Sequence, residues 1–161
     1  MTHSHLPKSM SASHIQLAQM MMPEHANLHG NVHGGWIMKL VDEAGALAST
    51  RHAAHRTVTV AIDQMIFRHP IQIGDLVLFN AEVTFAGRTS MEVEVNVIAE
   101  KPISGEQIHT NAAYLVYVAI DDRGKPTRIP PLIAETPEEK TRMDAATKRH
   151  QSRIAMKSER T

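Results

Sequence analysis

The chain has no cysteine, which excludes a disulfide framework, a thiol nucleophile and thiolate ligands for zinc. It also has no net charge, because seventeen basic residues balance seventeen acidic ones, so nothing predicts a nucleic-acid partner or an anionic membrane surface. No apolar run approaches the roughly 20 residues that a membrane-spanning helix needs. The first ten residues lack the apolar core of a signal peptide. We therefore predict a soluble, cytoplasmic protein.

The 161 residues suit a single domain with extensions at both ends. Residues 1–13 are polar and show no periodicity, which predicts a flexible N-terminus. Residues 14–134 carry most of the apolar and β-branched sequence and form the predicted domain. Residues 135–161 are charged and rich in helix formers, which predicts a solvated helical tail. In an alternative reading the cations of this tail meet the phosphates of a ligand, and these cations are Lys148, Arg149 and Arg153.

Runs of β-branched and alternating apolar residues predict five strands, and a helix is predicted to start near Gly35. The order is one strand, one long helix, then four strands joined mostly by short turns. This order favours an α+β fold in which a single helix packs across an antiparallel sheet. The predicted strands are residues 15–22, 57–67, 76–85, 90–100 and 110–121.

The loop before the helix is rich in glycine, with Gly30, Gly34 and Gly35 close together. Glycine lets the backbone turn tightly and approach a ligand. The first amide N–H groups of a helix have no partner within the helix, and they lie at its positive end. We therefore expect the start of this helix to suit a polarised carbonyl or a developing oxyanion.

Helical spacing places Asp42 on a side strip with Met38, Gly45 and Ser49, next to the apolar face. The strip is small and mostly uncharged, so a second molecule or subunit can approach closely. An acid in such a place is partly desolvated and can act as a base. The alternative is an ordinary solvated helix aspartate. The apolar face itself comprises Ile37, Leu40, Val41, Ala44 and Ala48.

Three motifs occur in order along the chain: the Asn, Gly-Gly and Asp run from Asn27 to Asp42, F-R-x-P-I-x-x-G-D from Phe67, and G-R-T-S-M-E-V from Gly87. Together they resemble the hotdog-fold acyl-CoA thioesterases of the brain acyl-CoA hydrolase type and their bacterial single-domain relatives. The resemblance covers about residues 21–131. It implies a curved antiparallel sheet of about five strands wrapped around one long central helix.

The resemblance also implies the roles of four residues in the hydrolysis of acyl-CoA to a carboxylic acid and coenzyme A. Asp42 is the implied catalytic carboxylate, as general base or as nucleophile. Asn27 is expected to position the water or the carbonyl, together with Asp42 of a neighbouring subunit. Backbone N–H groups near Gly34 and Gly35 are expected to hold the thioester oxygen. A dimer is the implied minimum, a trimer of dimers is expected, and no metal or redox cofactor is required.

Coenzyme A needs local cations for its phosphates and an extended groove for its pantetheine arm. Arg88, Thr89 and Ser90 lie at a predicted turn where a guanidinium, hydroxyls and backbone amides can converge on phosphate. Arg68 is a second candidate for this role. The alternative is that all four candidate residues are ordinary turn and surface residues. Asn27 has a similar alternative, as a turn or cap residue.

The sequence departs from the family pattern at His33, where a bulky aromatic residue commonly precedes Gly-Gly. A dehydratase of the same broad fold would use His33 or His29 as its base. His25, His29 and His33 are four residues apart, but the intervening glycines argue against one shared helix, so no metal site is predicted.

Two further classes of function compete with hydrolysis. One is a non-catalytic acyl-CoA-binding or sensing module, and the other is a purely structural oligomer. Asn27 and Asp42 argue against both classes, because neither class needs an acid and an amide beside a Gly-Gly helix start. There is no Gly-x-Ser-x-Gly elbow to support a serine triad.

Overall fold

The computed structural model describes residues 6–159, and its elements follow the predicted order closely. The prediction of an α+β fold with five main strands and one long central helix is confirmed. Two short 3-10 helices, Ser11–Ser13 and Pro23–His25, accompany the main elements. The strands and α-helices are β1 (Lys8–Ser9), β2 (Ile15–Met20), α1 (Gly34–Ala53), β3 (Arg56–Phe67), β4 (Leu76–Ala86), β5 (Ser90–Glu100), β6 (Gln107–Ile120), β7 (Leu132–Ile133) and α2 (Pro137–Ser158).

The main sheet has the strand order β2-β4-β5-β6-β3, and all its neighbouring strands are antiparallel. Helix α1 contacts all five strands, as expected for a sheet that wraps around a central helix. Side chains alternate between the two faces of a strand, and the face toward α1 buries Phe79, Val95 and Leu115 completely. The core of the domain therefore lies between the sheet and α1.

Helix α1 presents the face that its spacing predicted. Its five predicted apolar residues are all buried, whereas Lys39, Glu43 and Thr50 are exposed. His33 caps the first turn, and the helix ends at Ala54 in the left-handed conformation. Gly45 is required by close packing, because a Cβ there would collide with the hydroxyl group of Tyr117. The missing side chain allows Tyr117 to reach the helix.

Strand β3 forms one edge of the main sheet. It pairs with β6 on one side, and its other side has no strand partner within residues 6–159. Its apolar side chains Val58, Val60, Ile62 and Ile66 are each between 42% and 54% exposed. An unpaired edge beside exposed apolar side chains is a surface to which a second chain can add.

The N-terminal segment differs from the predicted flexible terminus. Residues 1–5 lie outside the described residues, but β1 pairs in parallel with β7, and Met10 is completely buried. The Ser13 hydroxyl accepts a hydrogen bond of 2.9 Å from the backbone of Val83. These contacts join residues far apart in sequence, so local composition did not reveal them.

Helix α2 is the predicted helix of the tail, but it docks on the protein instead of standing in solvent. Its Arg142 bonds to Glu94, and Glu92 and Glu94 alternate along β5 with the inward valines. The glutamates therefore point to the outer face of the sheet, and α2 lies on that face, opposite α1. Glu92 is completely buried and accepts hydrogen bonds from Arg149 at 2.7 Å and Arg153 at 2.8 Å. Neither α1 nor α2 has the length and apolar character needed to cross a membrane, and the same holds for all helices in residues 6–159.

Candidate active site

Asp42 lies on α1 where the helix faces the edge strand β3. Its Oδ1 accepts hydrogen bonds from the Thr59 hydroxyl at 2.7 Å and from the Tyr117 hydroxyl at 2.9 Å. The Tyr117 hydroxyl is also 3.0 Å from the backbone carbonyl oxygen of Asp42. The side chain is half-buried, and its Oδ2 makes no hydrogen bond within the described part of the chain. One oxygen is therefore held in place while the other remains available for chemistry.

Tyr117 is a fixed donor to this carboxylate. Burial, followed by the negative charge of Asp42, raises the pKa of Tyr117 far above its usual value. The phenol therefore stays protonated at any physiological pH and donates its hydrogen. Thr59 supplies the second hydroxyl from β3, directly opposite Tyr117 in the register of the sheet. Two neighbouring strands thus orient a carboxylate that belongs to the helix.

Asn27 lies in the loop before α1, and within one chain it acts as a turn residue. Its Oδ1 accepts hydrogen bonds from the backbone N–H groups of His29 at 2.8 Å and Asn31 at 3.2 Å. Its Nδ2 has no hydrogen-bond partner among residues 6–159. Asn27 and Gly34 line a cavity of about 380 Å³. The amide of Asn27 therefore keeps one donor that can reach a ligand.

The two glycines at the start of α1 have different surroundings. The N–H of Gly35 donates a hydrogen bond of 2.9 Å to Nδ1 of His33, which caps the helix. The N–H of Gly34 has no hydrogen-bond partner in the described residues, and Gly34 lines the Asn27 cavity. Of the two amides predicted to hold an oxyanion, Gly34 is the available one. The capping role of His33 occupies its Nδ1.

The four predicted coenzyme A residues do not converge on one place in the chain. Arg68 lines the Asn27 cavity, beside Gly34. Thr89 and Ser90 line a second cavity of about 420 Å³ beside α2. Arg88 is exposed at the turn, and its carbonyl accepts a hydrogen bond of 3.1 Å from Ile129.

Asn27 and Asp42 likewise belong to separate parts of the chain. Asn27 is bonded within its own loop, whereas Asp42 is bonded to the sheet. No hydrogen bond joins the two side chains within residues 6–159. This separation agrees with a site that needs two copies of the chain to be complete.

Thr59 and Tyr117 are the residues of this site that the sequence analysis missed, and for Thr59 a signal was present. Thr57 and Thr59 alternate with valines at the start of β3, so both hydroxyls point to one face of the strand. Thr57 bonds to Ser49 of α1 at 2.7 Å, and Thr59 bonds to Asp42. The alternation of threonine and valine at the start of β3 was the sequence signal that two hydroxyl groups share one face of this strand.

Two of the spaced histidines, His25 and His33, have structural contacts. Nδ1 of His25 accepts a hydrogen bond of 2.8 Å from the backbone of Met22, and its ring packs edge-on against Trp36 at 4.7 Å. The part of the chain that the structure describes contains no group of three or more acidic or histidine side chains arranged for a metal ion. The absence of a cofactor remains a prediction.

Comparison with known proteins places the chain in a family. Residues 29–106 match the family model described as the thioesterase superfamily. The cytosolic acyl coenzyme A thioester hydrolase of Rattus norvegicus is 34% identical over 156 residues, which are 96% of this chain and 40% of the rat protein.

Solved structures agree with this assignment. A Staphylococcus aureus acyl-CoA hydrolase, solved with butyryl coenzyme A, coenzyme A and coenzyme A disulfide, has a TM-score of 0.88 at 34% identity and covers 94% of this chain and 93% of its own. Other structures of that hydrolase carry alanine in place of an aspartate, an asparagine or a threonine. A hexameric acyl-CoA thioesterase has a TM-score of 0.90 at 32% identity, covering 94% and 97% of the two chains.

A five-stranded antiparallel sheet wrapped around one long helix defines the hotdog class of protein. Within that class, the chain belongs to the thioesterase superfamily, among its acyl-CoA thioester hydrolases. The family resemblance noted in the sequence is thereby confirmed.

Proposed function

We propose that this protein hydrolyses acyl-CoA thioesters to free carboxylic acids and coenzyme A. The observation that carries the proposal is the half-buried carboxylate of Asp42, oriented by Thr59 and Tyr117 on a hotdog framework. An aspartate, an asparagine and a threonine are also the residue types replaced in the Staphylococcus aureus hydrolase structures. The present site offers the same three types in Asp42, Asn27 and Thr59.

Asp42 performs the chemistry through its available oxygen. As a general base, Oδ2 removes a proton from water while the water oxygen bonds to the thioester carbon. As a nucleophile, Oδ2 itself bonds to that carbon, and water then cleaves the resulting anhydride. In either case the carbon–sulfur bond breaks, and the coenzyme A thiolate leaves and takes up a proton. Thr59 and Tyr117 hold the carboxylate in position throughout.

The oxyanion that develops on the thioester carbonyl requires donors outside the Asp42 group. The N–H of Gly34 lies at the positive end of α1, and Asn27 lines the same cavity as Gly34. A donor aimed at a developing oxyanion contributes on the order of a hundredfold to the rate. We assign Gly34 as the main backbone donor and Asn27 as the residue that positions the water or the carbonyl.

The complete site combines Asp42 of one subunit with Asn27 and Gly34 of another. This assignment is supported by the separation of the two groups in one chain and by the unpaired edge of β3. A dimer is therefore the minimal active unit, and the hexameric relative supports a trimer of dimers. Arg68, Arg88, Thr89 and Ser90 bind coenzyme A, and the reaction requires no metal or redox cofactor. The cytosolic rat relative supports a cytoplasmic location.

Release of free thiol from a panel of acyl-CoAs of graded chain length tests the proposal directly. The wild-type protein should release thiol in proportion to the acid formed, and the panel also reports the preferred chain length. Binding of acyl-CoA without thiol release from any member of the panel would reject the enzyme and favour the sensing module. Enoyl-CoA hydration without thiol release would favour a dehydratase.

Thr59→Val should lower kcat by on the order of tenfold, because it removes one of two hydrogen bonds to a charged carboxylate while keeping the shape of the side chain. The matched control is Thr57→Val, the same change on the same face of β3, where the hydroxyl bonds to Ser49 instead of Asp42. Thiol release and thermal unfolding should be measured for both variants. Equal losses of kcat in the two variants would assign Thr59 a structural role only.

A further inference from the structure

The side chain that closes the first turn of α1 is a histidine. His33 precedes the helix, and its Nδ1 accepts a hydrogen bond of 2.9 Å from the backbone N–H of Gly35. We propose that His33 is a positioning residue for the oxyanion donor Gly34, and that only the neutral form of its ring holds this donor in place. The inference rests on the proposed function, since it concerns the pH range in which the same site is assembled.

The N–H group of Gly34 lies within the ring of atoms that this hydrogen bond closes. It belongs to the peptide unit that joins His33 to Gly34, and because peptide units are planar, the ψ angle of His33 sets its direction. That angle is 127°, in the extended region that is usual for a capping residue. The bond from Gly35 to the ring of His33 restrains this angle. The cap therefore helps to determine where the Gly34 donor points.

Gly35 fits closely against the ring of His33. A Cβ at residue 35 would lie 3.0 Å from Nδ1 and 3.1 Å from Cε1 of His33, so the missing side chain lets the ring lie over the first turn. The carbonyl of His33, in the same peptide unit as the Gly34 N–H, also accepts a hydrogen bond of 3.0 Å from Trp36. Loss of the ring bond should therefore loosen the Gly34 donor without unfolding the turn.

The cap depends on the protonation state of the ring. A histidine nitrogen accepts a hydrogen bond only while it carries no proton, so the neutral ring of His33 has its hydrogen on Nε2. A proton on Nδ1 would face the N–H of Gly35 and would break the cap. It would also add a positive charge at the positive end of α1. Histidine is the side chain that ordinarily changes charge near neutral pH.

The groups around His33 offer no carboxylate to balance that charge. Lys39 shares a cavity of about 300 Å³ with His33, and Arg68 and His69 line the adjacent cavity with Gly34. Among the described residues that line these two cavities, none is acidic. The titratable and charged groups on the surrounding elements are Lys39 of α1, Arg68 and His69 after β3, and Glu24 and His25 of the 3-10 helix before the loop.

Thiol release by two variants of His33, measured at about pH 8 and about pH 5.5, tests the inference. His33→Leu has no acceptor and should lower kcat at the higher pH roughly fivefold, which corresponds to one lost capping bond. KM should change little, because the oxyanion develops only in the transition state. His33→Asn should recover most of this loss, since asparagine caps helices and does not titrate.

The decisive quantity is the ratio of kcat in His33→Asn to kcat in the wild-type protein. It should rise roughly fivefold from the higher pH to the lower, as the wild-type cap is lost. All other titratable groups, including Asp42, are common to both proteins and do not affect the ratio. A ratio that stays constant, or that falls because an imidazolium aids the oxyanion, would overturn the inference. This comparison stands even if His33→Leu fails to fold.

His29→Asn is the matched control, because His29 is an exposed histidine of the same loop. Its kcat relative to the wild-type protein should be the same at both pH values. A pH-dependent ratio equal to that of His33→Asn would refute a specific role for His33. Oligomer mass and thermal unfolding, measured for each variant at both pH values, separate a displaced donor from a lost fold.

Hydrogen exchange tests the cap without turnover. Mass spectrometry of the peptide that contains Gly35 should show equal protection in the wild-type protein and His33→Asn at the higher pH, and faster exchange in the wild-type protein at the lower pH. This result in a protein that releases no thiol would support the cap and reject the proposed function. An active hydrolase with equal protection in both proteins at both pH values would reject the cap alone.

Discussion

Replacing Asp42 with asparagine should lower kcat for acyl-CoA hydrolysis by at least about a hundredfold, because the amide cannot take a proton from water or attack a thioester. Asparagine has nearly the shape of aspartate, and its side-chain oxygen can still accept from Thr59 and Tyr117, which hold Oδ1 at 2.7 and 2.9 Å. The helix should therefore keep its place on the sheet. Thiol release, measured beside oligomer mass and thermal unfolding, separates lost chemistry from lost structure.

Glu43→Gln is the matched control for Asp42→Asn. Glu43 is the next residue of α1, is exposed and pairs with Lys39 on the outer side of the helix. Its neutralisation should leave kcat close to the wild-type value, since exposed ion pairs contribute little. If Asp42→Asn retains most of its activity in an intact oligomer, the catalytic assignment of Asp42 is wrong.

Asp42→Asn, combined with Asn27→Ala, also tests whether the site is shared between subunits. Asp42→Asn and Asn27→Ala subunits should each be inactive alone, but co-refolding them should restore activity if Asp42 and Asn27 act across a dimer interface. Random pairing makes half of the dimers mixed, each with one intact site, so activity should return to roughly a quarter of the wild-type value. A mixture that stays inactive while mixed dimers are detected would place the two residues in one subunit's site.

Glu92→Ala should destabilise the protein by on the order of 3 kcal/mol, because it leaves Arg149 and Arg153 without the buried carboxylate that they share. Glu92 is completely buried, and Thr84 also donates to it at 3.1 Å. Two arginines of α2 are joined to the sheet through this one carboxylate. Urea unfolding at a fixed protein concentration measures the loss, since oligomer stability depends on concentration.

Glu94→Ala is the control for the effect of Glu92. Glu94 lies on the same strand and face and accepts from Arg142 at 3.0 Å, but its side chain is 13% exposed and Arg142 keeps a second partner in Glu82. Its loss should therefore destabilise the protein much less. Limited proteolysis should cleave α2 earlier in Glu92→Ala than in Glu94→Ala. Equal stability of the two variants would show that the buried carboxylate of Glu92 stabilises the docked helix α2 no more than that of Glu94.

The sequence predicted the main sheet well because its strands carry their own signals. Residues 90–97 alternate strictly between polar and apolar side chains, and the structure has β5 over the predicted residues 90–100. The predicted faces of α1 were also correct, since helical geometry relates residues three and four apart whatever surrounds them. Boundaries elsewhere shifted by a few residues, as at β6, which begins at Gln107.

Contacts between distant residues were beyond local patterns. Met10 is buried by a pairing of β1 with β7, more than a hundred residues away, and nothing in the polar N-terminal sequence indicated this. The tail was expected to be solvated, yet Arg149 and Arg153 reach a glutamate on β5. Charged residues look alike in a sequence whether they face water or a buried partner.

The candidate site shows the same division between sequence and tertiary structure. The sequence by itself determined the framework, through helical and strand periodicity, and it singled out Asn27, Gly34 and Asp42 through a family motif. Only the tertiary structure decided that Thr59 and Tyr117 orient Asp42, and that α2 lies beside Thr89 and Ser90. Periodicity is a local property of the chain, whereas hydrogen bonds between elements depend on the folded packing that brings them within 3 Å.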